Sequence, residues 1–290
     1  MLRLIVLVTI LSLPLSGTAS GETTSIVTIS TPRGAEEAFI LIKPDHPVAS
    51  VILFVGGNGL LRLRRTPPPA VDPSAFVAGN FLVRSREEFA AHDFVVAVID
   101  APSDRQEGMS LPFLVSEDRA IDIGAVVEHL KREADLPVWL VGTSGGSWSA
   151  ALGAIDASRG GNENTSIDGL VLTSTVTRIP EGSKIARTLS TFAAEHPEGV
   201  MSMELSEVTV PTLVMSHRDD GCLYTPAVDA PVLAKRLNRS TKVEIAVMTG
   251  GDRPKSGPCE AYAAHGYFGV ENQAVDTIAR FIKANGPRKP

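Results

Sequence analysis

The chain has 290 residues, of which 43% are hydrophobic and 21% are charged, so it can bury a large core and lacks the composition of a disordered protein. Its formal net charge at pH 7 is -6 and no segment concentrates Lys and Arg, which excludes nucleic acid as an expected partner. One globular domain accounts for this length.

The chain begins with a pattern typical of an export signal. One basic residue, Arg3, precedes an apolar stretch from Leu4 to Leu15, and small residues follow from Ser16 to Gly21. The apolar stretch is too short to span a bilayer, so we predict a signal peptide over residues 1–20, with a buried first strand or a membrane anchor as the alternatives. The expected mature domain spans residues 21–290 of an exported protein, periplasmic or secreted. No later segment has eighteen uninterrupted apolar residues, so we expect no membrane span there.

Short β-branched runs alternate with longer segments of helical periodicity along the expected mature domain. Eight runs are predicted as strands, in chain order 25–29, 38–42, 50–55, 94–99, 138–141, 169–172, 212–215 and 243–247. Near-continuous apolar strands indicate a sheet that is covered on both faces. The alternation therefore predicts a doubly wound α/β fold with a mainly parallel sheet flanked by helices.

Helices are expected between these strands. Ser116 is a predicted N-cap, and the apolar residues after it recur at helical spacing, as they do again near the C-terminus. Residues 84–92 and 226–237 are two further predicted helices. Whether residues 178–208, between the sixth and seventh strands, form a cap over a site stays open.

Cys222 and Cys259 are the only cysteines. In an exported chain they predict one disulfide, since such compartments are oxidising, with two free buried thiols as the alternative. The bridge would close a loop of 37 residues, for which chain entropy sets an upper-end stabilisation of roughly 4 kcal/mol. No cluster of His, Cys and carboxylate residues has metal-ligand spacing and no phosphate-binding loop follows a strand, so no metal or cofactor is expected.

A serine lies between the fifth predicted strand and a predicted helix, in the run Gly142-Thr143-Ser144-Gly145-Gly146. A G-x-S-x-G run in that position forms a sharp turn that exposes the serine hydroxyl as a nucleophile. The alternative is a plain glycine-rich turn. A serine nucleophile needs a base, and the base needs an orienting carboxylate. Asp220 follows the seventh strand and His265 precedes the last helix, so Ser144, Asp220 and His265 form a predicted triad, with His217 as a competing histidine.

The chain resembles the α/β-hydrolase superfamily over essentially the whole expected mature domain. The run from Val210 to Asp220 looks like the superfamily segment that ends in its catalytic acid, which implies Asp220 as the acid and leaves Asp219 as the alternative. The loop Gly56-Gly57-Asn58-Gly59 resembles the superfamily's His-Gly loop, with Gly56 where His is frequent. By that likeness the backbone N–H of Asn58, or alternatively Gly57, joins that of Gly145 in an oxyanion hole.

These residues predict a serine hydrolase that cleaves carboxylic esters through an acyl-enzyme, with a small-molecule ester or amide as its partner. A peptidase or amidase of the same fold is the first alternative, a long-chain lipase is a weaker one, and a non-catalytic binding module is the last. The two cysteines bracket the acid and base loops, so we hypothesise that their disulfide ties these loops together. The sequence does not indicate the acyl group, the alcohol or the oligomeric state.

Overall fold

A computed structural model describes residues 22–63, 78–160 and 164–286. The predicted signal peptide lies outside the described residues. Within them, no helix combines the length and the apolar character that crossing a bilayer requires.

The described residues form one eight-stranded sheet in the order β1-β2-β4-β3-β5-β6-β7-β8. The strands are β1 (Thr23–Ser30), β2 (Glu36–Lys43), β3 (Ala49–Phe54), β4 (Phe94–Ile99), β5 (Val138–Thr143), β6 (Gly169–Thr173), β7 (Thr212–His217) and β8 (Val243–Met248). β2 pairs antiparallel with both β1 and β4, and the other pairs are parallel. The predicted strands and the mainly parallel sheet are confirmed.

Helices cover both faces of this sheet. They are α1 (Phe81–Arg84), α2 (Arg86–Ala91), α3 (Leu111–Leu114), α4 (Glu117–Glu133), α5 (Gly146–Gly160), α6 (Lys184–Thr188), α7 (Ser190–Glu195), α8 (Ala230–Arg236) and α9 (Glu271–Asn285). Apolar residues of α4 and α5 join one buried cluster, and those of α1, α2 and α9 join a second cluster on the opposite face. The doubly wound arrangement is therefore confirmed.

Most helix predictions hold with shifted ends. Ser116 caps α4, since its hydroxyl accepts a hydrogen bond from the N–H of Arg119 at 3.3 Å. The predicted helix 84–92 is divided at Ser85 into α1 and α2, and the predicted helix 226–237 shortens to α8 after one 3₁₀ turn, Ala227–Asp229.

The strand β8 departs from the expectation of a sheet covered on both faces. None of its six residues is fully buried, and Ile245 and Val247 are 41% and 51% exposed. The reason is its position, because within the described residues β8 pairs only with β7 and forms one edge of the sheet. Periodicity within a strand does not show whether the strand lies at the edge of the sheet, where neighbouring elements leave side chains exposed.

Residues 178–208 form two short helices, α6 and α7, followed by two 3₁₀ turns. They pack beside α5, where the rings of Phe192 and His196 lie 5.5 and 5.6 Å from the ring of Trp148. Val200 and Leu205 are buried in the same cluster. This segment therefore completes the core on one face of the sheet.

The parallel strands bring several loops to one edge of the sheet. The carboxyl ends of β3, β5, β7 and β8 lie at the same edge, where ligands bind in open α/β sheets. The loops that follow these strands contain Gly57, Ser144, Asp220 and His265. The fold therefore collects the predicted site residues at one edge.

Candidate active site

Ser144 lies in a strained turn between β5 and α5. Its φ angle is 51°, a left-handed conformation that is uncommon for a residue with a side chain. The flanking glycines permit a close approach of the chain, since a Cβ on Gly146 would lie 2.0 Å from the carbonyl oxygen of Phe54. The N–H of Ser144 donates to the carbonyl of Thr173 at 3.1 Å, which fixes the turn to β6. This geometry is the strained elbow that the glycine-serine run predicts.

Gly145 packs directly against the loop after β3. A Cβ on Gly145 would lie 2.2 Å from the carbonyl oxygen and 3.0 Å from the nitrogen of Gly57, so only glycine fits there. Gly57 lines a cavity together with Ser144. The side chain of Asn58 turns away and donates to the carbonyl of Glu107 at 3.1 Å. The two backbone groups that meet beside the serine are therefore those of Gly57 and Gly145.

A buried carboxylate, Asp100, holds the loop after β3. Asp100 accepts hydrogen bonds from the N–H groups of Leu61, Arg62 and Leu63 at 2.6, 3.2 and 2.8 Å. These bonds satisfy backbone donors that the irregular loop would otherwise leave unpaired. Asp100 directly follows β4, which pairs with β3, so the sheet itself anchors the loop that approaches Ser144.

The structure brings Asp220 and His265 together. Nδ1 of His265 lies 3.0 Å from Oδ2 of Asp220, and the two side chains are only 6% and 0% exposed. With its proton on Nδ1, the imidazole donates to the carboxylate and keeps Nε2 free to accept a proton. Asp219 instead points outward, with 56% of its side chain exposed, and the hydrogen bond from Arg218 lowers its pKa. Of the two adjacent aspartates, Asp220 faces the histidine.

Thr225 is in hydrogen-bond contact with both members of this buried pair. Sequence reasoning missed this residue. Its hydroxyl lies 2.8 Å from Oδ2 of Asp220 and 3.1 Å from Nδ1 of His265. The second carboxylate oxygen, Oδ1, accepts the N–H of Cys222 at 2.9 Å. Both oxygens of Asp220 are therefore fixed from the turn that follows β7.

His217, the competing histidine, is buried in a different role. Its Nε2 lies 3.0 Å from the carbonyl oxygen of Gly250, and its Nδ1 lies 3.1 Å from the N–H of Asp219. Both ring nitrogens are thus occupied by backbone groups. His217 connects the loops after β7 and β8 and is not available as a base.

A cavity of about 380 Å³ lies between the elbow at Ser144, the loop after β3 and the loop that carries His265. Its lining residues are Gly56, Gly57, Gly79, Asn80, Phe81, Thr143, Ser144, Ser256, Cys259, Glu260, Ala261, Tyr262, His265 and Gly266. Ser144 and His265 therefore open into the same space, although no hydrogen bond joins their side chains in the described part of the chain. Hydrogen bonds between catalytic groups are often long before substrate binds, so this arrangement is compatible with proton transfer.

Two further features support the wall that carries His265. A disulfide joins Cys222, two residues after Asp220, to Cys259 in the cavity lining. The buried phenol of Tyr267 donates to the carbonyl of Met215 at 3.1 Å, and burial raises its pKa, so it stays protonated as a structural donor. The loops after β7 and β8 are thus connected by a covalent bond as well as by hydrogen bonds.

Metal ligation has no support among the residues that the structure describes, because no group of three or more His, Cys, Asp or Glu side chains is arranged to hold an ion. The groups that the site presents are the serine hydroxyl, the acid–base pair and the backbone N–H groups. These are the parts required for nucleophilic attack on a carbonyl.

No protein-family model matches the sequence, and no curated protein matches it. Solved structures are similar over nearly the full length. An esterase from Pyrococcus furiosus has a TM-score of 0.60 at 14% identity, covering 91% of this chain and 93% of its own. Brefeldin A esterase, a bacterial homologue of human hormone-sensitive lipase, has a TM-score of 0.61 at 17% identity, covering 95% and 80%. Dienelactone hydrolase from Anabaena variabilis has 0.55 at 12%, covering 92% and 99%. At these identities the likeness establishes the fold.

Proposed function

Because the chain has the α/β-hydrolase fold, we propose that it is a serine hydrolase that cleaves carboxylic esters. The observation that carries the proposal is the buried pair of Asp220 and His265, which opens into the same cavity as the strained elbow at Ser144. The similar solved structures are described as esterases or as a dienelactone hydrolase, and this supports ester chemistry on the shared fold.

In the proposed reaction, the Ser144 hydroxyl attacks the ester carbonyl while Nε2 of His265 takes its proton. Asp220 holds the imidazole in the tautomer with the proton on Nδ1 and stabilises its charged form. His265 then returns the proton to the leaving alcohol, which produces an acyl-enzyme. Water, activated by the same imidazole, cleaves the acyl-enzyme and restores Ser144.

We assign the oxyanion hole to the backbone N–H groups of Gly57 and Gly145. The support is their close packing beside Ser144, since a Cβ on Gly145 would lie 3.0 Å from the nitrogen of Gly57 and Gly57 lines the cavity with Ser144, whereas the side chain of Asn58 binds Glu107. The assignment differs from the expectation at Asn58 by one residue. Such donors act on charge that develops only during attack, so they lower the barrier rather than tighten substrate binding.

The proposed substrate is a short, uncharged ester. A cavity of about 380 Å³ lies at the small end of the range for ligand pockets, and within the described lining no Lys or Arg is present to bind an anionic group. A short acyl chain fits this volume, whereas a long chain would have to extend beyond it.

A panel of p-nitrophenyl esters with acyl chains of increasing length, assayed beside peptide p-nitroanilides, tests this proposal. We expect hydrolysis of acetyl and butyryl esters, weak hydrolysis of long-chain esters, and no anilide cleavage. Ser144→Ala serves as the inactive control. Faster cleavage of anilides than of short esters would replace the esterase with a peptidase or amidase, and no turnover of any substrate would favour a binding module.

We also propose that the chain is exported after removal of residues 1–20, leaving one domain from residue 21. The disulfide between the only two cysteines supports an oxidising compartment. The intact mass of protein recovered from the periplasm or medium of its native host tests this. Recovery from the cytoplasm with Met1 still present would contradict it.

A further inference from the structure

Asn80 lies in the cavity wall formed by the segment just before α1. Its side-chain oxygen Oδ1 accepts the N–H of Leu82 at 3.1 Å and thereby caps the helix. This bond assigns Oδ1 as the end of the amide that faces the helix and Nδ2 as the donor end, and Asn80 lines the cavity.

The amide nitrogen of Asn80 and the Cβ of Ser144 both lie close to Gly56. A Cβ built on Gly56 would lie 3.1 Å from Nδ2 of Asn80 and 3.2 Å from Cβ of Ser144. Gly56 has no side chain to separate these two groups, and Gly56, Asn80 and Ser144 all line the same cavity. Gly57, a proposed oxyanion donor, is the next residue in the chain.

Arg84 holds the Asn80 segment against the loop that carries His265. Its guanidinium donates to the carbonyl of Gly79 and to the carbonyl of Gly266, each at 2.5 Å, and it pairs with Glu271 at 2.8 Å. A donor that is fixed before substrate arrives needs no reorganisation during the reaction, which is the condition for effective stabilisation of a developing charge.

We infer that Nδ2 of Asn80 donates a third hydrogen bond to the oxyanion, beside the N–H groups of Gly57 and Gly145. The inference rests on the proposed function. In the step concerned, the Ser144 oxygen bonds to the carbonyl carbon, the carbonyl electron pair moves to its oxygen, and the serine proton passes to His265. Asn80 exchanges no proton and forms no covalent bond, because its part is to stabilise the negative oxygen.

Two substitutions separate this role from helix capping. Asn80→Ser keeps a good N-cap but lacks the amide donor, and Asn80→Asp keeps the cap acceptor while placing a carboxylate beside the oxyanion. We expect kcat on p-nitrophenyl butyrate to fall by about 10²- to 10³-fold in Asn80→Ser, with KM nearly unchanged, and further in Asn80→Asp. The matched control, Asn285→Ser in the last turn of α9, keeps wild-type kcat.

Binding of butylboronic acid gives a second measurement, because it forms a tetrahedral adduct with a nucleophilic serine. Its affinity should fall in Asn80→Ser by a factor similar to the loss of kcat, while the melting temperature stays at the wild-type value. Wild-type kcat in Asn80→Ser, or a raised KM with unchanged kcat, would overturn the third donor and leave the esterase standing. A wild-type protein that hydrolyses no ester would overturn both.

Discussion

At the scale of single residues, the candidate site depends on side chains held by short, specific bonds. The clearest case is Asp220, whose two oxygens accept from Cys222 and Thr225 while Oδ2 also faces His265. A carboxylate fixed on both oxygens has one orientation available, and its hydrogen bond with His265 in turn orients the imidazole. The reactivity proposed for Ser144 therefore depends on residues that never contact a substrate.

Thr225 gives the first prediction at this scale. Thr225→Val keeps the shape of the side chain and removes the hydroxyl that binds Asp220, so we expect kcat/KM for p-nitrophenyl butyrate to fall by about tenfold. Thr225→Ser retains the hydroxyl and should recover most of the loss, with steady-state kinetics on both variants as the measurement. Full activity in Thr225→Val would show that Asp220 holds its position without this bond.

Residue patterns in the sequence predicted three members of the candidate site and missed Thr225, for physical reasons. Ser144 was predictable because its glycines are required by the turn, and Asp220 and His265 because they follow strands that end at one edge. Thr225 carries no such mark, since a threonine in a turn has many ordinary uses. The choice between Gly57 and Asn58 depends on the path of the loop, in which Gly57 has a φ of 69°. Spacing along the chain does not encode that path.

At the scale of elements, two loops act as one unit. The turn after β7 supplies Asp220 and the loop after β8 supplies His265, and the disulfide between Cys222 and Cys259 joins them next to the cavity. Its position beside the acid–base pair indicates a contribution to the geometry of the site in addition to the stability of the fold.

The double variant Cys222→Ser/Cys259→Ser tests this contribution. We expect kcat/KM to fall by about tenfold or more while the protein stays folded, because the acid and base loops lose their covalent connection. Kinetics across pH and circular dichroism on the same samples measure the two effects separately. A variant with full activity and an unchanged pH profile would remove the idea that the bridge positions the pair.

Elements were predictable from sequence to different extents. Continuous apolar runs identified the central strands, since both faces of a buried strand need apolar side chains. The run at β8 also identified a strand, but the expectation that both faces of this strand are covered was wrong, since Ile245 and Val247 are exposed at the sheet edge. The break between α1 and α2 at Ser85, where φ is -99° and ψ is 10°, also escaped prediction.

At the scale of the whole molecule, charge and cavity volume together define the substrate class. The formal net charge is -6, and Glu260 is the single carboxylate in the cavity lining that the structure describes. A negatively charged ester would meet repulsion from Glu260 at the entrance and from the surface as a whole. We therefore expect the protein to prefer neutral esters as substrates.

The matching prediction compares p-nitrophenyl butyrate with the singly charged p-nitrophenyl succinate. We expect kcat/KM to be roughly five- to tenfold lower for the succinate at low ionic strength, and the difference to shrink with added salt. Glu260→Gln should narrow the gap without changing turnover of the neutral ester. Equal rates for both esters in the wild-type protein at low salt would contradict the electrostatic part of the account.

Covalent labelling by a fluorophosphonate, with the modified residue identified by peptide mass spectrometry, is the measurement that tests Ser144 as the nucleophile. We expect one adduct, on the peptide that contains Ser144, and no adduct in a folded Ser144→Ala variant. Labelling that persists in Ser144→Ala, or that maps to another residue, would contradict that role of Ser144.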